Sequence, residues 1–178
     1  WNPIGNSTTK FTGSFDGGGH VIQHIYISRA NSDEVGFFGY ASNSGGSIRN
    51  LGVKDVDISG KVSVGGLCGL CYIPLEQVFS TGEISGDQLV GGLVGQGNDV
   101  ITSAYSDAGV HGRNSNKNGF GGLVGRLNSS AQLFTSYSTG KVTPTDVNSD
   151  YSQIGGLVGD FSGSPTVDAS FWDTETSE

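Results

Sequence analysis

One short pattern constrains this chain more than any other feature. Gly-Gly-Leu-Val-Gly stands at residues 91–95, 121–125 and 155–159, with Cys68 in the fourth place at 65–69 and a shortened Gly-Phe-Phe-Gly at 36–39. The last glycines, Gly39, Gly69, Gly95, Gly125 and Gly159, are separated by 30, 26, 30 and 34 residues. A fixed core that returns at slightly varying intervals is what stacked coils produce when insertions collect at their corners. Glycine at equivalent places implies a sharp corner or a close approach of backbones, with no room for a Cβ. A flexible glycine-rich linker fails as an alternative, because it would not hold Leu67, Leu93, Leu123 and Leu157 at one constant offset.

A second element answers each marker. An aligned position holds Gly52, Phe79, Tyr105, Tyr137 and Phe171, and an apolar residue stands four places before it each time. In the middle three copies another apolar residue, Ile84, Val110 or Val142, follows five later. Each unit thus offers three short strand candidates: the marker, the Tyr-Ser element and the valine element. No stretch carries a helical 3.6-residue period. Coils of 26–34 residues with three short strands predict an all-β, right-handed parallel β-helix of about six coils; a propeller needs about 40–45 residues per four-stranded blade.

The chain reads as one domain over 1–178. Residues 1–28 form an opening coil, with Trp1 available to cap the core; 29–164 hold the repeated coils; 165–178 close the array. In the closing stretch polar and charged residues replace the valine strand, as in a terminus that stops stacking. The polar stretches 42–46, 112–118 and 143–152 are expected as surface loops. The absence of methionine suggests a processed or excised piece. A formal charge of −8 opposes nucleic-acid phosphate and anionic lipid, and no apolar run approaches the roughly 20 residues of a membrane-spanning helix. Cys68 and Cys71 are the only cysteines, too few for a disulfide framework or a four-ligand zinc site. Cys68 takes valine's place in the marker and so reads as a small core residue; a Cys-x-x-Cys redox pair would need a helix N-terminus that the sequence does not offer.

The marker followed by Tyr-Ser-Thr-Gly-x-Val, whole at residues 121–142, resembles the GLUG repeat of bacterial surface and secreted proteins, including non-catalytic parts of IgA-specific metallopeptidases. The resemblance spans nearly the whole chain and implies an extracellular repeat module. It does not carry over proteolysis, because the zinc motif His-Glu-x-x-His is absent. Cys68 for Val, Gly52 for the aromatic, and Ser106-Asp107-Ala108-Gly109 for Ser-Thr-Gly depart from the pattern.

The feature with most functional reach is the aromatic column Phe79, Tyr105, Tyr137 and Phe171. Facing solvent, a row spaced at about 4.8 Å could stack sugar rings or engage a host or cell-surface protein; facing inward, it would fill the core. Asp55 with Asp57, and Asp146 with Asp150, supply oxygens that calcium could use, although none matches a calcium loop. No other cofactor is implied. His20 and His24 with Asp16 offer a metal or acid-base group, but the two histidines lie about 13 Å apart along a strand, too far to share one ion. The reading is therefore a non-catalytic spacer or adhesive module at the cell surface. Two alternatives remain: a subunit that self-associates end to end into filaments, and a polysaccharide-active enzyme.

Overall fold

The structure is a computed structural model that describes residues 1–113, 119–144 and 153–175. It is an all-β solenoid of about five turns, with twenty strands and no α-helix among the described residues. Every strand pairing is parallel. Three sheets wrap the core.

The broad sheet contains β1 (Ser14–Gln23), β2 (Tyr26–Ser28), β4 (Ser47–Ser59), β7 (Leu75–Gly86), β10 (Val100–Thr102), β11 (Tyr105–Gly112), β14 (Gln132–Phe134), β15 (Tyr137–Ser138), β16 (Val142–Pro144), β19 (Thr166–Asp168) and β20 (Phe171–Trp172). A four-stranded sheet precedes the markers: β5 (Val62–Gly65), β8 (Gln88–Gly91), β12 (Phe120–Gly121) and β17 (Ile154–Gly155). A five-stranded sheet follows them: β3 (Phe38–Ser42), β6 (Cys68–Tyr72), β9 (Val94–Gly97), β13 (Val124–Asn128) and β18 (Val158–Ser162).

The Gly-Gly-Leu markers are the corners between these two smaller sheets, not strands in their own right. Their leucines lie in one file, with Leu67 N donating to Leu93 O at 3.0 Å, Leu93 N to Leu123 O at 2.9 Å and Leu123 N to Leu157 O at 3.0 Å. The glycines keep the corner thin. A Cβ on Gly66 would sit 2.7 Å from Gly92 O and 2.8 Å from Ser80 Cβ. On Gly92 it would overlap Ser106 Oγ and Gly122 O. Ser80, Ser106 and Ser138 are fully buried, set against the corner glycines Gly66, Gly92 and Gly122.

The expected separation of the Tyr-Ser and valine elements does not hold throughout. In β4, β7 and β11 they belong to one strand of 13, 12 and 8 residues. The long strands bend through single residues in left-handed conformation, at Asn50 (φ 53) in β4 and Gln77 (φ 53) in β7. Equivalent places in the later coils hold Ser103, Thr135 and Ala169, also at positive φ. A second file of positive φ, Glu34, Ser63, Leu89 and Gly119, follows the four-stranded sheet, with Ser63 inside β5 and Leu89 inside β8. One such residue turns an extended chain without ending its ladder, so a corner needs no separate loop.

Inward positions stack like on like. Ile48, Leu75, Ile101 and Leu133 form one buried file, Ile58, Ile84 and Val110 another, and Phe38, Cys68, Val94 and Val124 a third. Trp1 covers the first end, its ring stacked on Phe37 at 5.2 Å and 14°. At the other end Trp172 takes the place of the inner serines and lies across Gly156. Among the described residues of this last layer, Phe161, Val167 and Phe171 are open to solvent.

Candidate functional site

The aromatic column lies on the outside of the broad sheet. In β7, Val78 and Ser80 point inward and are buried, so Phe79 between them points out; Ser106 and Ser138 fix the same parity for Tyr105 and Tyr137. The four rings stack nearly parallel: Phe79 on Tyr105 at 4.8 Å and 6°, Tyr105 on Tyr137 at 5.2 Å and 5°, and Tyr137 on Phe171 at 5.7 Å and 8°. Strand spacing sets this separation, because the rings stand on directly paired residues.

The rings therefore spend their faces on one another. No sugar ring fits between planes so close, and at the first end the Phe79 ring leans over Gly52 beside a surface pocket of about 190 Å³ lined by Gly19, Asn50, Leu51, Gly52, Gln77 and Phe79. A Cβ at residue 52 would run into that ring, which explains the glycine in an otherwise aromatic file. What the interior of the ladder offers solvent is ring edge. Phe171, at the far end, is 62% exposed while the other three rungs are half-buried. Burial between its neighbours, then the Tyr137 phenol and the Asp107 carboxylate, push the Tyr105 phenol above its ordinary range. Asp107 itself accepts a 2.9 Å hydrogen bond from Thr139 Oγ1, one coil further on.

The other candidates do not converge. Asp55 and Asp57 are exposed on β4; Asp55 N donates to Thr81 Oγ1 at 3.0 Å, and Lys54 Nζ lies 4.0 Å from the Asp55 carboxylate. Asp146 and Asp150 lie outside the described residues. Asp16 is held by Arg49 Nε at 2.9 Å and by Asn50 Nδ2 and Gly18 N at 3.0 Å, and its pKa is lowered mainly by the Asn50 and Gly18 bonds. Its hydrogen bonds are with those groups and none with His20 or His24. Among the described residues no group of three or more His, Cys, Asp or Glu could hold a metal.

Two arrangements were not expected. Glu83 reaches across Gly109 to His111 Nε2 at 2.6 Å, on the exposed side of the broad sheet. Arg113 reaches back across earlier coils: it pairs with Asp87 at 3.1 Å and donates to Ser59 Oγ and Ala30 O, each at 3.3 Å. Only the placement of Arg113 straight after the valine element hinted at it. Cys68 and Cys71 are both buried, and burial pushes the Cys68 thiol well above its usual range.

Parts of the chain are similar to short stretches of much longer proteins. Over 109 residues it is 36% identical to halomucin of Haloquadratum walsbyi, covering 58% of this chain and 1% of halomucin. Over 81 residues it is 32% identical to a putative Gly-rich membrane protein of Evansella cellulosilytica, covering 44% of this chain and 9% of that protein. Over 163 residues it is 28% identical to the immunoglobulin A1 protease of Streptococcus sanguinis, covering 87% of this chain and 8% of the protease. No protein-family model matches the chain, and no solved structure does. The likeness to immunoglobulin A1 proteases and the parallel solenoid are both compatible with the GLUG resemblance. No helix of the described residues is long and apolar enough to cross a membrane.

Proposed function

We propose that this chain is a non-catalytic, GLUG-type repeat module of a larger extracellular protein. It acts as a stiff spacer, and its outer faces are open to glycans or to host or cell-surface proteins. The observation that carries this reading is the self-stacked ladder. Its rings are engaged with one another, so the column braces successive coils as a row of rungs, and any contact with a partner is made by ring edges and the flanking polar residues. The relatives support the setting: a putative membrane protein and enzymes named for an immunoglobulin belong at or beyond the cell boundary. Glu83, in register with Asp57 and bonded to His111, lies on the exposed side of the broad sheet, and among the described residues no group of three or more His, Cys, Asp or Glu could hold a metal, so the proposal assigns the chain no catalysis and no calcium.

The test uses the double variant Tyr105→Ala/Tyr137→Ala. A brace loses stability on this change, and any glycan binding by the outer faces, read on an array, does not hinge on these two rings alone. Saturable glycan binding that disappears in the double variant while its melting temperature stays at the wild-type value would overturn the reading.

A further inference from the structure

The chain crosses from the five-stranded sheet to the broad sheet once per coil, and the crossings differ in length. Between β3 and β4 it uses residues 43–46, but between β6 and β7 only 73–74 and between β9 and β10 only 98–99. A longer crossing beside two short ones leaves a notch. Residues 42–46 with Tyr72, Pro74 and Asp99 line a pocket of about 400 Å³ there, about twice the volume of the one beside Phe79. It lies on the flank of three inner coils, away from both end layers, and its size is that of a small-ligand site.

Tyr72 is 41% exposed in this notch. In its own file it pairs with Ser42 on one side, and on the other the next coil brings Asn98, which follows Gly97, the partner of Cys71. Its one ring contact among the described residues is Tyr40, beside it at 5.9 Å and 31°. Where the rungs of the ladder have rings above and below, Tyr72 has neither. Around it stand groups that bond hydroxyls: the hydroxyls of Ser42 and Ser44, the side-chain oxygen of Asn43, and Asp99. One Asp99 oxygen accepts from Val100 N at 2.7 Å, which leaves the other to accept from a ligand.

The frame is set before anything binds. Asn43 Nδ2 donates to Thr12 O, Ser42 N to Phe11 O at 2.9 Å, and Ile48 N to Pro74 O at 3.0 Å. A Cβ on Gly46 would strike Gly13 O, so the crossing is seated against the coil below. Groups already fixed lose little freedom on binding.

The lining also selects the ligand's chemistry. It contains no Lys, Arg or His, and Lys10 is engaged over the Tyr40 ring at 4.7 Å. With Asp99 present and no cation to offset it, phosphate, sulfate and acidic sugars are disfavoured. An extended peptide finds no strand to join, because β3, β6 and β9 are paired with one another. An aromatic platform ringed by hydroxyl, amide and carboxylate oxygens suits a neutral sugar. Its C–H face packs on the ring, and its hydroxyls donate to the oxygens. We infer that this notch is a subsite for a neutral sugar, with Tyr72 as the platform and Asp99 and Asn43 as acceptors. The inference rests on the spacer reading and says which part of the outer surface takes a glycan.

The test titrates the isotope-labelled chain with lactose, maltotriose, cellotriose, mannotriose and diacetylchitobiose, followed by amide NMR. At least one of them is expected to give saturable shifts confined to residues 42–46, 72–74 and 98–99, and sialyllactose is expected to bind more weakly than lactose. Tyr72→Ala should weaken the binding about tenfold, and Tyr72→Phe, which keeps the ring, should stay within about twofold. Asp99→Asn keeps the bond to Val100 N and should weaken binding several-fold through the lost charge. Circular dichroism verifies the fold of each variant. Silence of the whole panel to the limit of solubility, with or without binding of a decaproline probe at the notch, overturns the inference and leaves the spacer reading standing on the ladder's stability. Binding that survives Tyr72→Ala undiminished overturns it too. Shifts centred on Tyr105 and Tyr137, lost in their double variant at an unchanged melting temperature, would overturn both.

Discussion

Removing one rung from the middle of the aromatic ladder measures what the ladder does. Tyr105 is stacked on both faces, at 4.8 Å and 5.2 Å, whereas Phe171 has one neighbour, at 5.7 Å, and is 62% exposed. A stacked aromatic pair contributes about 0.5–1.5 kcal/mol beyond its area burial. Tyr105→Ala therefore gives up two such contacts, about 1–3 kcal/mol, together with the burial of its ring against the sheet. Phe171→Ala gives up one contact and little burial, about 1 kcal/mol or less. For a chain of this size each kcal/mol moves the melting temperature by roughly 2–4 °C, so the interior change is expected to lower it by roughly 4–10 °C and the terminal one by roughly 2 °C. The assay is thermal and urea unfolding followed by far-ultraviolet circular dichroism, with Tyr105→Ala, Tyr137→Ala and the double variant closing a cycle. The cycle should return a coupling of about 0.5–1.5 kcal/mol between the two tyrosines. If Tyr105→Ala costs no more than Phe171→Ala, or the coupling is zero, the rings are not bracing the coils and the argument for a ladder is refuted.

Other outcomes follow from the same structure. Gly92→Ala places a methyl group into Ser106 Oγ and Gly122 O and is expected to cost more than 2 kcal/mol, while Gly45→Ala, with nothing within 4 Å of the new atom, stays within about 0.5 kcal/mol in the same urea titration. Cys68 and Cys71 are expected to resist a thiol reagent such as Ellman's in the native protein and to react together once it is unfolded; rapid native labelling would contradict their burial. The folded state holds the Tyr105 proton more tightly than the unfolded chain does. Stability from this phenol is thus intact below its ordinary pKa of 10.0 and falls as pH rises beyond it, and Tyr105→Phe should remove that alkaline loss in pH-dependent melting.

The sequence carried the stacking of the coils because glycine and leucine at the marker serve a purpose no other residues meet: a corner too thin for a Cβ, and one apolar side chain per layer. It carried less about the corners of the broad sheet. Asn50, Gln77, Ser103, Thr135 and Ala169 share a left-handed conformation without sharing a residue type, because the strand ladders on either side hold them there. Their signal was a small or polar residue two places before each aromatic position, faint in one sequence. The direction of the aromatic column was legible in principle from Leu51, Gly52 and Val53, yet the packing of ring on ring was not, since spacing alone does not say whether neighbouring rings meet or part. Gly52, set down as a departure from the pattern, proved to be the seat of the Phe79 ring.

The broad sheet and the four-stranded sheet meet along one edge, which the chain crosses directly from Ser59 to Val62 and from Gly86 to Gln88. The crossing residues, 60–61 and 87, belong to no strand. A foreign peptide grafted at this seam would hang from one side of the rod, at intervals set by the coil height, which makes the molecule a natural rail for displaying sequences in a row.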